Sequence, residues 1–145
     1  MAEAVQTAVR RECSDGFDIR VDIDSSMLVQ ANPEYLVRSV SNILRNAVRY
    51  GGDHGAIRVA AHQESGRVRI SIADSGPGVP EDALDKIFTP FYRLDDSRDR
   101  RTGGTGLGLA IVRSWIEACG GTVECRNRVP NGLQVQICLP AAVSL

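Results

Sequence analysis

The chain lacks both common glycine signatures of nucleotide sites. It has no Gly-x-x-x-x-Gly-Lys-Ser/Thr run, and neither of its glycine clusters has Gly-x-Gly-x-x-Gly spacing after a strand. It is therefore neither a P-loop protein nor a dinucleotide-binding one. Histidine is scarce, with two in 145 residues, and the four cysteines include no C-x-x-C pair, which leaves no set with metal-ligand spacing. Cys13, Cys119, Cys125 and Cys138 read as reduced core thiols of a cytoplasmic protein. A formal net charge of -1 gives no overall attraction to nucleic acid or to an anionic membrane. The opening residues Met1-Ala-Glu-Ala-Val-Gln lack the basic start and apolar run of a secretion signal, and no apolar stretch approaches membrane-spanning length. What remains, 43% hydrophobic and 24% charged, is the composition of an ordinary globule. Its length suits one domain, residues 1–145, with a core of its own and no repeat or linker.

The order of elements follows from periodicity. Val5, Ala8, Val9 and Cys13 recur at helical spacing before Ser14-Asp15-Gly16 breaks the pattern. Phe17, Ile19, Val21 and Ile23 alternate as in a strand, and residues 28–31 are expected to pair with them as a hairpin-like partner. Asn32 and Pro33 mark a helix start, the apolar set Leu36, Val40, Ile43, Leu44 and Ala47 carries the helix to Tyr50, and Gly51-Gly52 ends it. Two alternating runs, residues 57–61 and 68–72, predict neighbouring antiparallel strands. A short helix over residues 81–87, a charged stretch over 93–102 and a helix over 107–119 come next. Two final strands turn at Pro130-Asn131-Gly132. Strands that alternate cleanly have one wet face, so the helices should cover a single side of the sheet in a two-layer α/β sandwich.

Several residues carry possible chemistry. The run Gly103-Gly104-Thr105-Gly106-Leu107-Gly108-Leu109 opens the last helix, where glycines let backbone N–H groups and the positive helix end approach an anion. With Asp74-Ser75-Gly76-Pro77-Gly78 it suggests a phosphate-bearing ligand. Counting by twos from Val68, Ile70 and Ile72 turns Asp74 toward the apolar face. A carboxylate there either bonds its own backbone in a turn or meets a ligand donor such as a purine amine. Asn42, Asn46 and Arg49 share one face of their helix, which meets either water or a ligand. Amide oxygens suit Mg²⁺, and Arg49 would supply charge to phosphates. Arg93 follows the aromatic group Phe88, Phe91 and Tyr92, whereas Arg98, Arg100 and Arg101 read as a solvated loop balancing Asp95, Asp96 and Asp99.

At this point the residues resemble one family, the ATP-binding catalytic domain of bacterial sensor histidine kinases. Asn42-Ile-Leu-Arg-Asn46-Ala-Val-Arg-Tyr50 is similar to its N box and Asp74-Ser-Gly-Pro-Gly78 to its first glycine box. Ile87-Phe88-Thr-Pro-Phe91-Tyr92-Arg93 is similar to its F box and Gly104-Thr-Gly-Leu-Gly108-Leu-Ala-Ile-Val112 to its second glycine box. Four motifs in the family's order span most of the chain. The resemblance implies a Bergerat fold, with a mixed, largely antiparallel sheet covered on one face by helices and an ATP lid at about 93–106.

Carried over position by position, the resemblance implies that Asp74 binds the adenine amine, with Gly76, Gly78, Val79, Ile87 and Phe88 in the same cofactor-binding set. It implies that Asn46, helped by Asn42, holds Mg²⁺ and that Arg49 contacts phosphate. Tyr50 would flank the nucleoside and Arg93 would approach the γ-phosphate. Gly104, Gly106, Leu107 and Gly108 would cradle phosphates through backbone N–H groups, with Thr105 beside them. Asn46, Arg49 and Arg93 are then the catalytic set. Hydrolytic relatives place a glutamate one turn before the Mg²⁺ asparagine, and this chain has Asn42 there; an amide is a poor general base. His54 and His62 read as surface residues, so the phosphoacceptor histidine is expected on a separate dimerisation domain that passes the phosphoryl group to a response regulator receiver domain. The alternative is a nucleotide-dependent regulatory module, an anti-sigma-like serine kinase or a degenerate kinase. Neither reading involves nucleic acid or direct membrane contact by this domain.

Overall fold

In the computed structural model, which describes residues 1–12, 16–92 and 108–143, the longest helix organises the fold. This is α2, Pro33–Gly51, which follows α1, Ala2–Glu12, and precedes α3, Gly108–Ala118. Its start is built as the sequence predicts: Asn32 has extended backbone, and its Oδ1 accepts from Glu34 N (2.9 Å) and Tyr35 N (3.3 Å). Such a cap stabilises a helix by about 1 kcal/mol. One face of α2 buries Leu36, Val40, Ile43, Leu44 and Ala47. Against the helices lies a five-stranded sheet in the order β1-β2-β3-β5-β4, made of β1 (Ile19–Asp22), β2 (Ile57–Glu64), β3 (Arg67–Ala73), β4 (Thr122–Asn127) and β5 (Leu133–Pro140). Ile57, Val59, Val68, Ile70, Ile72, Val135, Ile137 and Leu139 point inward to one continuous core with the helices. The intervening Arg58 and Arg69 face water. A mixed sheet, antiparallel except for one pair, thus carries its helices on one side, as alternation predicts.

Three expectations are corrected. Residues 28–31 do not pair with β1. That strand runs parallel to β2, Ile19 opposite Ile57, because α2 lies between them in sequence as the crossover. Val29 instead bridges Ala141, with Gln30 N donating to Pro140 O and Ala142 N to Leu28 O, both at 2.9 Å. The helix expected over 81–87 is a single 3₁₀ turn, Glu81–Ala83, that continues as turns; Ala83 and Ile87 are buried. Pro80 sits at its entrance, and two inward anchors four residues apart need little more than one turn.

The third correction concerns Cys138. The alternation that turns Ile137 and Leu139 inward puts Cys138 on the open face, where its Sγ accepts from Arg67 Nε at 3.0 Å. Cys119 and Cys125 do pack against the core. The Cys125 thiol donates to Leu84 O at 3.2 Å, and burial pushes its pKa up to about 11, so it stays a protonated packing residue. Cys13 lies outside the described residues.

Candidate functional site

A cleft of about 480 Å³, including its open mouth, lies between α2, α3 and the sheet. Its walls are mostly apolar: Ile43 and Ala47 from α2, Ile72 from β3, Leu109 from α3, Leu133 and Val135 from β5, with Val79 and Ile87 from the segment between. The polar groups among the lining residues are few, namely Asn46, Tyr50 and Asp74.

Asp74 leaves the end of β3 and is 5% exposed. Its Oδ1 accepts from Gly76 N (2.9 Å) and Leu133 N (3.2 Å). The turn bond and the inward orientation, alternatives in the sequence, are therefore both present. Among the described residues the donors to this carboxylate share one oxygen, Oδ1. Burial raises the Asp74 pKa above the ordinary carboxylate value, opposed by the two backbone N–H groups and by the charges of Arg128 and His54. The loop presses against the end of α2. A Cβ on Gly76 would sit 2.5 Å from Tyr50 O, and one on Gly51 would sit 2.6 Å from Asp74 Cβ. Only glycine permits these approaches.

Asn46 reaches the cleft from α2, but Asn42 does not line it. The Asn42 Nδ2 donates to Gly108 O at 3.1 Å, tying α2 to the first residue of α3. Arg49 is exposed, with its guanidinium carbon 5.9 Å from the centroid of the Tyr50 ring, a cation–π contact beside the cleft. Gly78 and Leu109 line the cleft, and Gly108 places the start of α3 at its rim. Phe88 is buried under the Arg113 guanidinium, 5.0 Å from its ring centroid. Arg93, Gly104, Thr105, Gly106 and Leu107 lie outside the described residues.

Sequence reasoning missed a group supplied by the β4–β5 turn. Asn127 Oδ1 accepts from Val79 N (2.9 Å) while its Nδ2 donates to Val79 O (2.6 Å). Arg128 Nη1 donates to Asp74 O (2.6 Å), and Asn131 Nδ2 donates to Ser75 O (2.6 Å). Pro130-Asn131-Gly132 signals a turn in the sequence, but no local pattern says that the turn docks on a loop more than fifty residues away.

The family described as histidine kinase-, DNA gyrase B- and HSP90-like ATPase matches residues 31–143. The signal transduction histidine-protein kinase BaeS of Escherichia coli (strain K12) is 35% identical over 130 residues, 90% of this chain and 28% of that protein. The sensor protein PfeS of Pseudomonas aeruginosa is 40% identical over 133 residues, 92% of this chain and 27% of that protein. Among solved structures, a mycobacterial sensor histidine kinase, MprB, superposes with a TM-score of 0.83 at 27% identity, covering 99% of this chain and 96% of that one. Full-length ShkA in complex with AMPPNP gives 0.80 at 30% identity, covering 99% of this chain and 29% of that one. The chain belongs to this ATPase family, as an ATP-binding catalytic domain of the sensor histidine kinase kind. It spans just over a quarter of the length of these two curated relatives.

Proposed function

We propose that this domain binds Mg-ATP in the cleft and delivers the γ-phosphoryl group to a histidine of a separate dimerisation domain, for onward transfer to a receiver domain. The observation that carries the reading is the Asp74 carboxylate, buried at the end of an apolar cleft with Oδ1 held by two backbone donors. An adenine amine fits the remaining oxygen, and the apolar walls fit the base. Asn46 is the cleft residue whose hard oxygen would hold Mg²⁺, which when bound would neutralise phosphate charge. Arg49 and, by its place in the motif, Arg93 would add positive charge, while the glycine run 104–108 would present N–H groups to the phosphates.

Asp74 is the only carboxylate among the described lining residues, and the Asn42 amide is engaged with Gly108 O. Among the described lining residues no group is placed to activate water, whereas an incoming imidazole needs no such base, and alignment does most of the work. The test is incubation with γ-labelled Mg-ATP, alone and with a histidine-bearing dimerisation domain added in trans. Label should appear on the added domain as an acid-labile phosphohistidine, with none on His54 or His62. Steady ATP turnover by the domain alone would overturn this reading.

A further inference from the structure

The β4–β5 turn does more than reverse the chain. Within residues 127–132 three successive polar side chains reach across to the loop that carries Asp74. Asn127 brackets Val79 through both its N–H and its carbonyl, Arg128 holds the Asp74 carbonyl, and Asn131 holds the Ser75 carbonyl. The next residue, Leu133, gives its N–H to the Asp74 carboxylate itself. The Asp74 main chain and side chain are thus both fixed from one turn, and the half-buried Arg128 places a cation beside them.

We infer that Arg128 is a positioning residue for base recognition: its guanidinium, clamped on Asp74 O, fixes the loop that aims the Asp74 carboxylate into the cleft. The inference rests on the reading of Asp74 as the adenine contact. A charge-assisted bond to a half-buried carbonyl is among the stronger kinds of hydrogen bond. A cation close to a carboxylate also favours its ionised form, the form that accepts from an amine. The groups acting on Asp74 from its surroundings are Arg128 from the turn, His54 from the segment after α2, and the N–H groups of Gly76 and Leu133. Of these, Arg128 alone both fixes the backbone and carries charge at every working pH.

The experiment is calorimetric titration of Mg-ATP and Mg-GTP between pH 5 and 8 into the wild type, Arg128→Met, Arg128→Lys, Asn131→Ala and Asp74→Asn, with thermal unfolding of each apo protein. Arg128→Met should weaken ATP about tenfold, narrow the ATP-over-GTP preference, and move the acid limb of ATP binding to higher pH. Arg128→Lys should restore the acid limb, because the charge is kept, while recovering only part of the affinity. Asn131 is exposed, so Asn131→Ala tests the clamp without threatening the core and should weaken ATP about threefold. If Arg128→Met fails to fold, the Lys and Asn131 variants carry the test. ATP affinity and acid limb unchanged in the folded Arg128 and Asn131 variants, with binding abolished in Asp74→Asn, would overturn the positioning role and leave the adenine site standing. Undiminished ATP binding by Asp74→Asn would instead overturn the adenine reading itself.

Discussion

The two antiparallel hairpins of the sheet differ in what their turns touch. Between β2 and β3 the chain reverses through Ser65 (φ 54°) and Gly66 (φ 76°). This is the two-residue geometry that matches strand twist, and a Cβ on Gly66 would meet nothing within 4 Å. Between β4 and β5 the turn is longer, and its side chains are bonded to the Asp74 loop. A Cβ on Gly132 (φ 113°) would be driven into Asp74 O. The first turn makes one backbone bond outside its hairpin, Gly66 O accepting from Ala141 N at 2.9 Å, whereas the second holds the loop that carries Asp74. In the second, glycine serves a close approach as well as a backbone angle, so its sequence is constrained by a loop far away in the chain.

The largest effect that separates the two turns lies at the residue the second one supports. Asp74→Ala should weaken Mg-ATP by at least about a hundredfold in calorimetry, since it removes a charged acceptor from a buried site. Next comes one substitution made at both turns. Gly132→Ala should destabilise the domain by about 3 kcal/mol, through overpacking against the Asp74 carbonyl on top of its positive φ, and should weaken ATP as well. Denaturant unfolding and nucleotide titration on the same samples would check it. Equal stability loss at Gly132 and Gly66 would erase the contrast.

Much of this organisation was legible in the sequence. Asn32 and Pro33 announced α2, alternation placed β2, β3 and β5 with the right faces inward, and counting by twos from Val68 turned Asp74 into the core. Three things were not legible, each for a physical reason. Period two fixes the faces of a strand but not its partner, so β1 pairing with β2 through a crossover looked the same as pairing with residues 28–31. Helical spacing on α2 put Asn42 and Asn46 on one face, yet it could not say that Asn42 would be taken by Gly108 O while Asn46 reached the cleft. The bonds from Asn127, Arg128 and Asn131 are non-local, set by where two loops meet, and only the three-dimensional structure exposes them.

A third prediction uses the sign of the Asp74 shift. Burial raises its folded pKa, so between the ordinary carboxylate value and that raised value the folded state holds more protons than the unfolded one. On this account stability from Asp74 is greatest at low pH and is lost as pH rises through the folded pKa. ATP binding runs the opposite way, because the protonated carboxyl is a poorer acceptor for an amine, and affinity should fall as pH drops through the same value. In Asp74→Asn the difference from wild type in apo stability should therefore shrink toward acid pH, by thermal unfolding across that window. A pH-independent difference would mean that the carboxylate is not desolvated.

The smallest effect belongs to the first turn. Gly66→Ala introduces a Cβ into open space, so sterics between side chains add nothing and the cost is only that of holding an L-residue at φ 76°, about 1 kcal/mol. Gly66→Asn should cost less, because asparagine tolerates left-handed backbone. Neither should change the Kd for Mg-ATP, since strain at this turn is confined to the far end of β2 and β3, beyond the ladder pairs that separate it from Ala73 and Asp74. A shift in ATP affinity in Gly66→Ala comparable to that in Gly132→Ala would mean that the cleft senses overall sheet stability. The privileged place of the β4–β5 turn would then be lost.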